Sequence, residues 1–216
     1  MSSMSENALE ISNISNLHGF RGFVTMVPVI TISGSAGTGK SVNAESLAGK
    51  LGLRYISAGK IFRKLAEERN LTIEQFSKKA ERDTKIDLEL DQKMREEARR
   101  GDVVLEGRLV AWMTKDLDAY RIRLHCPLEI RIKRIAERES RSPSGVKNET
   151  IFREESERKR YRELYDIDIE DYEIYDLILN TSVYTADATT RILEFAVREY
   201  VSSPLRRGKE IGGSSS

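Results

Sequence analysis

The sequence predicts an α/β fold, a parallel sheet of about five strands with helices on both faces. Three observations carry that reading. Short apolar or β-branched runs alternate with longer segments whose apolar residues fall at helical spacing. The first such run, Val27–Ser33, leads directly into Gly34-Ser35-Ala36-Gly37-Thr38-Gly39-Lys40-Ser41 and then into a helical pattern. The chain of 216 residues is long enough for one substantial core.

Val27-Pro28-Val29-Ile30-Thr31-Ile32-Ser33 is β-branched and reads as a buried first strand. The helix after the glycines extends to about Lys50, and Gly52 supplies its stop. Leu53-Arg54-Tyr55-Ile56 is the second strand. Ser57 caps a helix that runs to about Arg69. Thr72, with Gln75 at the capping-box spacing, opens a short helix to about Arg82. A charged helix follows from about Lys85 to Arg100. Gly101-Asp102 interrupts it before the third strand, Val103-Val104-Leu105-Glu106, and Trp112 and Met113 pack a short helix after it. Tyr120–Cys126 alternates as the fourth strand. Leu128 to about Ser140 is an arginine-rich helix, Ser142-Pro143-Ser144-Gly145 the clearest internal loop, and about Glu149 to Leu164 a second charged helix. Ile174–Asn180 is the fifth strand, and about Ala186 to Tyr200 the final amphipathic helix.

This order divides the chain into a Ser/Asn-rich N-terminal extension at 1–25, expected to be disordered, one domain at 26–202, and a loose polar tail at 203–216. The helical stretch 59–100 is longer than a crossover needs and is expected to be a substrate-binding insertion. The arginine-rich turn around 138–150 is expected to act as a mobile lid.

Residues Gly34 to Ser41 match G-x-x-x-x-G-K-[ST], the P-loop pattern, between a strand and a helix as that motif requires. The glycines let successive backbone N–H groups converge on a phosphate, reinforced by the positive end of the helix. Lys40 reaches the β/γ-phosphates and the Ser41 hydroxyl ligates Mg²⁺. Glu106, at the end of the third strand, fits the second acidic element of P-loop enzymes and is expected to act on the metal through water. Arg108 lies just beyond it. Ligands in such sheets gather at the carboxyl ends of the strands. Ser57-Ala58-Gly59, with Arg63 one turn inside the helix, is a second candidate anion site. Asp87 and Asp91, four apart on one helix, share a face.

Charged residues make up 33% of the chain, yet the net charge is +1, which argues against a general nucleic-acid or membrane surface. Cys126 is the single cysteine, so no intrachain disulfide is expected and a reducing, cytoplasmic compartment is the natural reading. No stretch of about 18 apolar residues marks a membrane span, and no secretory leader is expected at the start.

Several motifs together resemble the nucleoside monophosphate kinases, and within them the archaeal type of cytidylate kinase. They are the P-loop, Ser57-Ala58-Gly59-Lys60-Ile61-Phe62-Arg63, Ile86-Asp87 with Asp91, Glu106-Gly107-Arg108-Leu109, Arg158 with Arg160-Tyr161, Tyr165 with Ile167-Asp168-Ile169, and Tyr175–Thr181. The resemblance spans about 27–200. It implies a three-layer P-loop kinase fold and transfer of the ATP γ-phosphoryl group to CMP or dCMP with Mg²⁺. It further implies that Ser57, Gly59, Arg63, Gly107 and Arg108 hold the acceptor nucleotide. Arg138, Arg153, Arg158 and Arg162 are its candidates for closing over the transferring phosphates beside Lys40. Bacterial relatives start the acceptor helix with Asp-Ser-Gly, where this chain has Ser57-Ala58-Gly59, so base recognition is not carried over from them. Asp87 or Asp91 is a candidate to accept from the cytosine amino group. Other acceptors (AMP, UMP or a shikimate-like molecule) and a non-catalytic nucleotide switch remain open alternatives. Small-molecule substrates and a monomer are expected, with no nucleic-acid polymer or membrane partner.

Overall fold

A computed structural model describes residues 28–203. The expectations for the extension at 1–25, for a domain start at Met26 and for the tail after Ser203 lie outside the described residues. Along the chain come β1 (Val29–Ser33), α1 (Lys40–Leu51), β2 (Arg54–Ser57), α2 (Ala58–Glu68), α3 (Ile73–Ala80), α4 (Lys85–Arg99) and β3 (Val103–Glu106). They are followed by α5 (Val110–Met113), β4 (Ala119–His125), α6 (Leu128–Glu139), α7 (Pro143–Tyr165), β5 (Leu177–Asn180), a 3-10 turn (Thr181–Val183) and α8 (Ala186–Ser202).

The five strands are parallel in the order β2-β3-β1-β4-β5. After β1 the chain crosses to the edge at β2, comes back in at β3 beside β1, and then passes to the other side for β4 and β5, so the carboxyl end of β1 is a topological switch point. The register pairs Glu106 with both Ile32 and Ser57, which lines up three strand ends at that edge.

Each face of the sheet is covered by helices. Ile30 and Ile32 pack with Ala44 and Leu47 of α1 and with Leu193 and Val197 of α8. On the opposite face Val29, Val103 and Leu105 pack with Met94 and Ala98 of α4 and Val110 of α5. The helical insertion closes a small core of its own, in which Ala66, Phe76, Ala80 and Ile86 are buried and the Phe62 and Phe76 rings lie 4.7 Å apart. Helix α7 is anchored at both ends. Val146 joins Ile132, Ile135 and Ala136 of α6 near its start, and Tyr161 and Tyr165 pack against Leu109, Trp112 and Met113 near its finish.

Two local features differ from the sequence expectations. Ser142–Gly145 is the cap and first turn of α7, not a loop. The Ser142 hydroxyl accepts from the Gly145 N–H, and Pro143 occupies the first turn, where its missing N–H costs nothing. β5 starts at Leu177 because Tyr172–Tyr175 forms a turn and Asp176 bonds the Arg121 backbone from both its carboxylate and its N–H. The fourth strand is found as β4, and both of its arginines, Arg121 and Arg123, are buried. Arg121 donates to the carbonyls of Ala111, Thr114, Ala119 and Leu117, so its charge is satisfied by backbone.

Candidate active site

The glycine-rich loop leaves β1 and enters α1 through Gly39, whose φ of 87° is left-handed and which has no side chain to cap the helix. The first N–H groups of α1 are thus open to an anion. Lys40 curls back over the loop and donates from Nζ to the Ser35 carbonyl at 2.8 Å. Burial lowers its ammonium from 10.5 to about 8, with Glu106 pulling it up and Arg108 pushing it further down. Helix α6 is pressed on the loop. A Cβ on Gly37, where φ is +81°, would stand 2.7 Å from the Arg131 carbonyl oxygen. Arg131 completes this contact by donating from Nη1 to the Ala36 carbonyl at 2.9 Å. On the other side, the Thr181 hydroxyl donates to the Thr38 carbonyl at 2.9 Å.

Glu106 collects hydroxyls at the switch point. Its Oε2 accepts from Ser57 at 2.5 Å, from Ser41 at 3.3 Å and from Tyr55 at 3.3 Å. Burial, with the Glu106 charge beside it, pushes the Tyr55 phenol up to about 12. Ser57 also caps α2, its Oγ accepting from the Lys60 N–H at 3.2 Å. This donor set is all oxygen, as Mg²⁺ prefers. Among the described residues no three His, Cys, Asp or Glu side chains gather into a metal cage.

The basic side chains divide into groups. Arg108 is tucked between two carboxylates of α7, with Nε 2.5 Å from Glu157 Oε2 and Nη2 3.3 Å from Glu154 Oε1. Although burial works against its charge, Glu157 and Glu154 raise its pKa further. Arg153 shares Glu157 at 3.5 Å. Arg158 lines the same cavity as Ser35, Thr38, Arg108 and Arg131. Arg63 of α2 lies over Gly59, its Nη1 3.5 Å from where a Cβ on that glycine would stand. Arg138 lines a second cavity of about 340 Å³, beside Gly37, Gly39 and Tyr184, and pairs with its neighbour Glu139 at 2.5 Å. Arg162 lines neither cavity; it is exposed and pairs with Asp166 at 3.6 Å. Gly107 follows Glu106 where β3 meets α2. A Cβ there would be 2.9 Å from the Ala58 Cβ. Asp87 is buried against Arg160, which donates from Nε at 2.9 Å, and Asp91 accepts from the Tyr165 hydroxyl. Burial raises both carboxyls, Asp91 to about 6.

Sequence reasoning singled out the loop, Glu106 and Arg108 from motif and position. It missed Arg131, Glu154 and Glu157 as parts of the site. Glu154 and Glu157 carry the i,i+4 spacing of an ordinary ion-paired surface, Arg131 stands without an acid at that spacing on the apolar face of α6, and only the approach of α7 to the loop brings them to Arg108.

The model of the cytidylate kinase-like family matches residues 29–183. A cytidylate kinase from Halobacterium salinarum is 48% identical over 173 residues, which covers 80% of this chain and 90% of the relative. Cytidylate kinases from Natronomonas pharaonis, at 49% with the same coverage, and Methanopyrus kandleri, at 44% over 178 residues (78% of this chain, 92% of the relative), are similarly close. Among solved structures, an uncharacterized protein from Eubacterium ventriosum superposes with a TM-score of 0.61 at 16% identity, covering 82% of this chain and 99% of that one. A shikimate kinase from Bacteroides thetaiotaomicron gives 0.55 at 13%, covering 80% and 99%. At those identities the likeness is one of fold.

Proposed function

The chain belongs to the cytidylate kinase-like family, and from that premise we propose that it transfers the γ-phosphoryl group of ATP to CMP, with dCMP as a second acceptor. The observation that carries the reading is one cavity lined by Ser35 and Thr38 of the phosphate loop on one side and by Arg108 and Arg158 on the other. Two phosphates meeting there would lie between a donor cradle and a set of fixed cations.

The loop from Gly34 to Ser41 binds the donor phosphates through its N–H groups and Lys40. Ser41, with Glu106 behind it through water, would hold Mg²⁺, which when bound would supply positive charge against the β- and γ-phosphates. The acceptor phosphate goes to Arg63 and Arg108, with Ser57 and Gly59 at the start of α2 and Gly107 shaping its floor. Arg153 and Arg158 supply charge at the transferring group. Arg138 and Arg162 belong to the arginine-bearing helices α6 and α7, and the segment 138–150, the end of α6 and the start of α7, is the lid that shuts out water. Arginine suits this work because its fork binds phosphate oxygens in pairs and stays charged. No general base is needed, since the acceptor oxygen is already anionic. Asp87 or Asp91 reads the cytosine amino group.

The test is steady-state turnover with ATP and CMP, dCMP, UMP, AMP, GMP or shikimate. CMP is expected to accelerate ATP consumption most; no acceleration by any acceptor would end the kinase reading. Arg63→Ala is expected to lower kcat/KM for CMP about 100-fold, the equivalent of two charge-assisted hydrogen bonds, with ADP affinity kept. Equal loss of both would reject the assignment of Arg63 to the acceptor.

A further inference from the structure

Glu154 stands between two guanidiniums that serve different halves of this site. Its Oε1 accepts from Arg131 Nη1 at 2.7 Å and from Arg108 Nη2 at 3.3 Å, and its Oε2 accepts from Arg131 Nη2 at 3.2 Å. Arg131 in turn donates to the Ala36 carbonyl of the phosphate loop and to the Cys126 carbonyl at the end of β4. An unbroken path therefore runs from the loop backbone through Arg131 and one carboxylate to Arg108. All of it is shielded from solvent, with side-chain exposures of 8% for Arg131, 12% for Arg108 and 15% for Glu154. Burial pushes the Glu154 carboxyl up, but Arg108 and Arg131 outweigh that and hold it below the usual range, so it is charged when it bridges them.

Unlike Glu106, which faces the Ser41 hydroxyl, Glu154 faces two arginines, and its charge opposes a phosphate ligand. Its value must lie in geometry. We propose that Glu154 is a positioning residue that fixes the spacing between the donor loop and Arg108, and so aligns the two phosphates for in-line transfer. The inference rests on the phosphoryl-transfer reading above. A misplacement of about 1 Å between reacting groups costs on the order of 100-fold in rate. Without Glu154, Arg108 keeps Glu157 and Arg131 keeps the Ala36 carbonyl, so each half survives while their spacing is released.

This gives a signature that a merely structural residue would not. Glu154→Gln keeps the length and removes the charge, while Glu154→Asp keeps the charge and is one methylene too short to reach both arginines. Both are expected to lower kcat about tenfold or more, with ADP affinity by calorimetry unchanged in Asp and unchanged or tighter in Gln. The thermal midpoint of each variant is measured alongside. The proposal is overturned if either variant keeps kcat within about threefold of wild type, since charge alone, or neither property, would then suffice. It is also overturned if ADP affinity falls in step with kcat, which would mark a general loss of structure. Failure of wild type to turn over with any acceptor would sink the function reading and this inference with it. Wild-type turnover with unaffected variants would sink the inference alone.

Discussion

Lys40 is the side chain whose charge the nucleotide-free site holds least firmly. Its ammonium is lowered to about 8 by burial, while Glu106, Glu157 and Glu154 only partly restore it. Phosphates arriving at Nζ would favour the charged form and raise it again. The sign follows directly: above pH 8 the free site has lost the proton that the bound site needs, so nucleotide binding must take one up. ADP affinity is expected to fall between pH 8 and 9, with uptake of about one proton per site at pH 9 and almost none at pH 7. Calorimetry in two buffers of different ionisation enthalpy reads this directly, and Lys40→Met should abolish it. An uptake of zero at pH 9 in wild type would show that Lys40 is not the group meeting the phosphates. The same shift acts on folding. Between about pH 8 and 10.5 the unfolded chain holds a proton that the folded one releases, so this group's contribution makes stability rise with pH across that window.

At the scale of elements, the junction of β3 and α2 is the tightest point on the acceptor side. Gly107→Ala would put a Cβ 2.9 Å from the Ala58 Cβ and 3.1 Å from Val110 Cγ1, so α2 or α5 must give way. The expected cost is about 1–3 kcal/mol, or a thermal midpoint lower by roughly 2–10 °C. Because α2 carries Arg63 and is capped by Ser57, the KM for the acceptor should rise while ADP affinity holds; a midpoint within about 1 °C of wild type would mean that the junction can relax. The elements themselves were legible because each has a local boundary signal: Gly52 after α1, the Thr72 and Gln75 capping box of α3, Gly101-Asp102 before β3. The loop and Glu106 were legible for a similar reason, being a fixed spacing and a strand end. Buried charge was not. Glu154 and Glu157 have basic residues four positions away, Arg158 and Arg153, just as the exposed pairs Lys133–Glu137 and Lys159–Glu163 do, and nothing local separates them; Arg131 has no acid at that spacing and lies on the apolar face of α6 with Leu128 and Ile135. Likewise Ser142-Pro143-Ser144-Gly145 has loop composition and helix-start geometry, because Ser as cap and Pro in the first turn serve both.

Across the whole molecule, α4 packs the helical insertion on the sheet directly, and α7 ties the insertion to α5 and α6. The ends of α7 pack on apolar clusters, but its seam with α3 and α4 is polar: Ser156 meets Glu81, Arg160 meets Asp87, and Tyr165 meets Asp91. A polar seam is easier to part than an apolar one, since water can replace each bond, so α7 separates from the insertion more easily than α4 separates from the sheet. Asp91 makes the seam sensitive to pH. Burial raises its carboxyl to about 6 from 3.8, against the pull of the Tyr165 hydrogen bond. The folded state therefore holds this proton more tightly than the unfolded one, and its stabilising effect is lost as pH rises through about 6. Between pH 5 and 7 the loss is about 1 kcal/mol. Asp91→Asn keeps an oxygen for the Tyr165 hydroxyl and cannot titrate. Denaturant unfolding at pH 5, 6 and 7 should show the variant gaining on wild type by that amount as pH rises; parallel profiles would remove Asp91 as the source. The same variant separates two roles for one carboxylate. If Asp91 reads the acceptor's amino group, its preference for CMP over UMP falls together with the pH slope. If the slope goes and the preference stays, Asp91 belongs to the seam alone, and Asp87 is left as the candidate reader.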